Sequence, residues 1–251
     1  MQDQHIAVWF SCGAASAVAA KLTLELYGDS NRVSVVNNPI KEEHEDNQRF
    51  LQDVAKWLGV EIQFATRSKY PNQSCKEVWA DRKFMSGPAG APCTQELKKR
   101  ARQEWESDNK PNYTVLGFTA EEQKRADRFR LTERDTLLTP LIDVNMTKQD
   151  CFDVLLNAGI KLPEIYGLGY PNANCVGCVK AVSSTYWNLV RKTFPDVFES
   201  RAKQSREIGA KLVWHKGKRV YLDELPPDAK GNKLKSYDFE CGLFCEEIEE
   251  E

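Results

Sequence analysis

Two groups of residues in this chain have the types and spacing that chemistry needs. Cys175 and Cys178, separated by Val176 and Gly177, form a Cys-x-x-Cys pair. That spacing lets two thiolates converge on one metal or cluster, because the glycine frees the backbone to fold around it. The same pair also suits a redox dithiol or half of a zinc site, so the pair alone leaves three chemistries open. The second group lies near the N-terminus, in FSCGAASAVAAKL, where Ser11, Cys12, Gly13, Ala14 and Ser16 stand between an apolar run and a helix-forming run. Small residues there let the backbone approach an anion, and the helix start supplies unpaired N–H groups and the positive end of its dipole. A tight turn without a ligand would have the same composition. No Gly-Lys-Ser/Thr follows, so this is not a Walker A loop.

The 251 residues are enough for one well-buried core, with at most a small appendage. A formal net charge of −2 gives no overall field towards nucleic acid or membrane. The basic stretch Lys98 to Arg102 could form a local patch, but by itself it reads as a solvated helix face. No apolar run is long enough to span a bilayer, and MQDQHIAVWF lacks a charged n-region followed by an h-region, so a cytoplasmic setting is expected. Eight cysteines are then informative, because disulfides are rare in that reducing compartment and cysteine there more often serves metal or redox chemistry. Cys151, in the apolar-periodic CFDVLLNAGI, reads instead as core.

The elements that must position these groups follow from periodicity. HIAVWF, RVSVVNN, VEIQFAT and YTVLGFT read as strands and TLLTPLI as the last apolar run of that type. Helices are expected over SAVAAKLTLELYG, KEEHEDNQRFLQDVAKWLG and MTKQDCFDVLLNAG, the last opening on a threonine cap. The alternation implies an α/β fold: a doubly wound parallel sheet with helices on both faces. Residues 162–174 are rich in Pro, Gly and Asn and read as loop. SSTYWNLVRKTF and PDVFESRAKQSREIG read as two helices, the second begun by Pro195, with a short hairpin around HKGKR. The expected organisation is an α/β core over 1–180, carrying the candidate anion loop and cysteine ligands, and a helical appendage over 181–251 with a cysteine-containing tail. His5, His44 and His215 read as surface or packed residues, and Tyr186 and Trp187 as core beside the Cys-x-x-Cys.

An ordered set of motifs resembles the PAPS and APS reductases of the adenine nucleotide α-hydrolase-like, or ATP-pyrophosphatase, superfamily, including short members met in phage genomes. SCGAASAV resembles the modified phosphate loop, with Ala15 where the ATP-pyrophosphatase branch has aspartate, as in the reductases. NNPIKEEHEDNQRF resembles the segment after the second strand, with Glu45 matching an acidic residue near the nucleotide. GFTAEEQKRADR stands where the reductases carry a phosphate and sulfate clamp. Gly117 is kept there, Thr119 and Ala120 replace the paired arginines, and Arg125 and Arg128 lie just downstream. TPLIDVNMTKQDCFDVL and LPEIYGLGYPNANCVGC match two further family stretches, with Asn145 where tryptophan is usual.

The resemblance implies a 4Fe–4S cluster on Cys93, Cys175 and Cys178. Pro92 and Cys93 occupy the place of two adjacent cysteine ligands in APS reductases, so one ligand is missing. Cys245, Cys12 and Cys75 are further candidates for it, and a four-cysteine zinc site with Cys241 and Cys245 is the alternative. It also implies a nucleophile at Cys241, since Glu240-Cys241-Gly242-Leu243 matches the reductases' terminal motif up to Phe244, which replaces histidine. The implied partners are an adenine nucleotide (PAPS, APS or ATP) and a thioredoxin-like reductant, with a homodimer open and no membrane. Two alternatives stand beside the reductase: ATP-dependent thiolation of a nucleobase or DNA backbone, which the basic ELKKRAR stretch would suit, and nucleotide binding without catalysis. Nucleic acid as a partner is the less favoured.

Overall fold

In the computed structural model, which describes residues 1–87, 90–232 and 234, the chain forms two compact units that interleave along the sequence. One comprises residues 1–39, 45–66 and 102–166; the other comprises residues 40–44, 67–101 and 167–251. The sequence reading places one division, between a core over 1–180 and an appendage over 181–251, whereas the chain enters each of these two units more than once. The segments carrying Cys75, Cys93, Cys175 and Cys178 group with the C-terminal helices, because contacts follow space and not chain order.

The first unit is built on five parallel strands: β1 (His5–Trp9), β2 (Arg32–Asn37), β3 (Ile62–Phe64), β4 (Tyr113–Val115) and β5 (Leu137–Leu138), in the order β3-β2-β1-β4-β5. Every residue of β1 is buried, as a central strand covered on both faces requires. Its alternate side chains serve different layers. Ile6 and Val8, with Phe10 just beyond the strand, join the main core with α1 (Ala14–Tyr27) and α2 (Asp46–Leu58). On the other face Trp9 meets Trp105 edge-on at 5.6 Å, and His5 bonds Asn109 O and Ser34 Oγ, each at 2.9 Å. The doubly wound sheet is thus as expected, and its fourth and fifth strands lie on the opposite side of β1 from the second and third. Cys151 is fully buried in the main core, where desolvation pushes its thiol up to about 12.

The second unit contains α3 (Cys75–Arg82) and a π-helical turn over Thr94–Arg100; α4 (Ala101–Asn109) follows it directly and, from Arg102 on, already belongs to the first unit. The first unit resumes with α5 (Gln123–Thr132), α6 (Pro140–Asp143) and α7 (Lys148–Asn157), and α8 (Glu164–Gly167) follows within the stretch expected to be loop. The second unit then adds α9 (Ser184–Thr193), α10 (Pro195–Ile208) and the antiparallel hairpin β6 (Val213–His215) and β7 (Lys218–Val220). The C-terminal helices and hairpin appear where the sequence places them. The second helix of the chain does not begin at Lys41; it begins at Asp46, and residues 40–44 belong to the second unit.

Candidate functional site: an anion loop and a thiol cavity

The loop after β1 is built by its own small residues. Ser16 Oγ donates to Gly13 O at 2.9 Å and accepts from Ser11 N at 3.1 Å, closing the turn onto the first turn of α1. Cys12 is buried in the left-handed region, at φ +56°, with Asn37 Nδ2 3.5 Å from its sulfur and 2.8 Å from Phe10 O. Gly13 is the N-cap and offers no side chain to the helix, and no acidic residue lies in the first turn. By contrast, α7 is capped internally by Thr147, whose oxygen accepts from Asp150 N. Apart from the Ala14 N–H, which donates to the Tyr166 hydroxyl, the positive end of α1 is therefore left for a ligand.

Gly117, two residues past β4, completes this edge. A Cβ on it would stand 2.7 Å from both N and Cα of Ser16, so only glycine allows the β4 loop to lie against the backbone of the helix start. Since β1 and β4 are neighbours from which the chain runs in opposite directions across the sheet, the loop and Gly117 share the topological switch point, where α/β sheets hold ligands. Tyr166, which the sequence did not single out, has its hydroxyl 3.3 Å from Ala14 N as acceptor. Arg125 stacks on Phe118, its guanidinium carbon 5.0 Å from the ring centre, and pairs with Glu122. Arg128 is exposed on α5, and Glu45 is exposed as the N-cap of α2.

The second unit assembles the thiols. Cys75, Cys93, Cys175 and Cys178 line one cavity, together with Trp79, Lys98 and Lys180 among others. Cys75 is in hydrogen-bond contact with both Cys175 and Cys93; these bonds, and then burial, hold its thiol well above the usual cysteine range. The Cys-x-x-Cys turn is fixed from two sides. Gly177 adopts φ +67°, and a Cβ there would meet Val197 at 2.9 Å. Tyr186, buried beneath, accepts from Cys178 N at 2.8 Å. Cys12 belongs to the other unit, and Cys241 and Cys245 lie outside the described residues.

Cations surround this cavity. Lys98 lines it, is 7% exposed and lies 3.8 Å from Glu43; Arg102, 3% exposed, belongs to the first unit, so the basic stretch is not the solvated face its composition suggests. Arg201 is 1% exposed, donates from Nε to Gly177 O at 3.2 Å and lies 4.7 Å from the Trp79 ring centre. Its Nη1 is buried without a hydrogen-bond partner, and no carboxylate among the described residues pairs with it. Among the described residues no group of His, Cys, Asp or Glu already stands as the coordination shell of a metal ion. Cys75 bonds Cys93 and Cys175, and metal loading would displace thiol protons. Sulfur donors, an apolar wall and an orphaned buried cation fit an anionic thiolate-bound centre.

The sheet order and the loop define a doubly wound α/β protein with its ligand edge at the switch point. Residues 5–184 match the phosphoadenosine phosphosulfate reductase domain, and the chain belongs to that family. No curated protein sequence matches it. Among solved structures it is similar to the phosphoadenylyl-sulfate (PAPS) reductase of Candida auris in a phosphate complex, at 13% identity and TM-score 0.45, over 66% of this chain and 78% of that one. It is also similar to the U34-tRNA thiolase of Methanococcus maripaludis with its 4Fe–4S cluster, at 12% identity and TM-score 0.49, over 83% and 74%.

Proposed function

We propose that this chain is a sulfonucleotide reductase-like enzyme that binds an adenine nucleotide, PAPS or APS, at the switch point of its sheet. The observation that carries the reading is the uncapped start of α1 with Gly117 packed on its backbone, in a chain of the PAPS reductase family. In this reading N–H groups of the first turn of α1, with Ser11 Oγ, bind nucleotide phosphate, and Arg125 and Arg128 add positive charge on the β4 side. The Cys241 thiolate attacks the sulfate sulfur and the sulfur–oxygen bond to the nucleotide phosphate breaks. AMP or 3′-phospho-AMP leaves with the electron pair, and an S-sulfonate stays on the enzyme. A thioredoxin-like dithiol then attacks the Cys241 sulfur, supplies two electrons as it becomes a disulfide, and sulfite departs.

Cys93, Cys175 and Cys178 are the residues that would hold a 4Fe–4S cluster. When bound, such a cluster supplies electrostatic organisation and not electrons, since the dithiol accounts for both electrons of the reduction.

The test is product analysis with PAPS, APS and ATP in the presence of a reduced thioredoxin-like protein. Sulfite release that disappears in Cys241→Ser, while nucleotide binding persists, is the expected result. ATP-dependent pyrophosphate release without sulfite would replace this reading by thiolation, and neither product by plain nucleotide binding.

A further inference from the structure

The segment that a helix-forming pattern misassigns, residues 40–44, ties the thiol-bearing elements of the second unit together. Glu42 does this at two points. Its carboxylate accepts from Ser74 Oγ at 2.7 Å, from Cys75 N at 2.8 Å and from Lys76 N at 3.3 Å, fixing the first turn of α3. Its carbonyl accepts from Val176 N at 2.9 Å, inside the Cys-x-x-Cys turn. Glu43 next to it reaches Lys98 on the π-helical turn that follows Cys93. Cys75 is thereby set on the same short strap as the other three thiols, and its side chain touches two of them.

We propose that Cys75 is the fourth protein ligand of the metal centre, so that a 4Fe–4S cluster here is closed, with no iron open to an external ligand. The proposal rests on the cluster assigned above and deepens it. Burial alone does not explain where Cys75 lies: Cys151 is equally buried but sits in an apolar core, away from any other cysteine of the thiol cavity. Charge points the same way. A 4Fe–4S core with four thiolates carries about one more negative charge than with three, and Lys98, Lys180 and the carboxylate-free Arg201 supply cations around it. A closed centre leaves no iron at which a sulfur atom could be held for transfer, which counts against the thiolation alternative.

The full-length protein is purified without air, and iron, labile sulfide and zinc are quantified for the wild type, Cys75→Ala and Cys75→Ser. EPR spectra are recorded before and after mild oxidation. Expected are about four iron and four sulfide per wild-type chain, with the cluster intact on oxidation. In Cys75→Ala one iron becomes labile and oxidation gives the paramagnetic 3Fe–4S form. Circular dichroism establishes that each variant is folded. If Cys75→Ala fails this check, Cys75→Ser carries the test: an oxygen ligand at one iron should give an altered Mössbauer doublet for a quarter of the iron. A wild-type cluster that itself loses one iron on oxidation, or variants with the wild-type spectrum, would overturn Cys75 as ligand while leaving the cluster. Zinc or no metal in the wild type would overturn the cluster and this inference together.

Discussion

Gly117 shows how little room the nucleotide edge leaves. Its missing side chain is what allows the β4 loop to touch the backbone of Ser16, and the atoms that a Cβ would meet are main-chain atoms that cannot rotate aside. Gly117→Ala should force the start of α1 away from the sheet. The cost expected for overpacking at backbone is about 1–3 kcal/mol, and the loss in nucleotide affinity should exceed what stability alone explains, because the displaced atoms are the ones proposed to face phosphate. Equilibrium unfolding and calorimetric titration with 3′-phospho-AMP check both. Unchanged affinity would remove the loop from the site. Much of this edge is legible in the sequence: small residues between a strand and a helix announce the loop, and the family motif marks Gly117. Tyr166 is not legible, since its hydroxyl reaches Ala14 N from 152 residues away and no local pattern encodes that contact.

At the scale of elements, the π-helical turn over Thr94–Arg100 decides what the second unit buries. A basic run in a regular helix is solvated by default, and Lys98 to Arg102 reads that way. Here acidic side chains come in to meet it. Glu96 is fully buried and gathers Arg67 at 3.3 Å, and Arg82 and Arg100 each at 3.1 Å, so α3 and the turn that carries Lys98 are joined by one carboxylate. Those arginines reach solvent, which softens but does not cancel the cost of losing the charge at their centre. Glu96→Gln is expected to lower stability by about 2–3 kcal/mol and to reduce metal retention, measured by urea unfolding and by iron per chain. A change under about 0.5 kcal/mol, as for an ordinary surface site, would show that the cluster of charges is incidental. The same competition explains the late start of α2. KEEHED has the composition of a helix N-terminus, but the Glu42 carbonyl accepts from Val176 N and its carboxylate from the first turn of α3, so the chain is held out of a helix there and α2 begins only at Asp46.

Across the whole molecule the two proposed sites, the β1 loop and the thiol cavity, fall in different units, and the chain enters each unit more than once. A reader of sequence naturally divides it in one place, because helix and strand patterns carry no signal that residues 40–44 leave the sheet unit or that 102–166 return to it. The division has a measurable consequence. Hydrogen exchange reports local opening, and a ligand slows exchange most where it closes backbone that otherwise opens. Nucleotide should protect peptides covering 10–17 and 116–120, whereas reconstitution with iron and sulfide should protect those covering 74–79, 93–98 and 175–178. Each set follows from a distinct physical cause: anion contacts at the start of α1 in the first case, and thiolate–metal bonds that cross-link α3, the π-helical turn and the Cys-x-x-Cys turn in the second. Protection by nucleotide confined to the thiol-bearing peptides would place the substrate in the second unit and overturn the phosphate role of the β1 loop. Protection of the cysteine peptides at 93–98 and 175–178 but not at 74–79 would separate Cys75 from the metal centre while leaving the other three ligands in place.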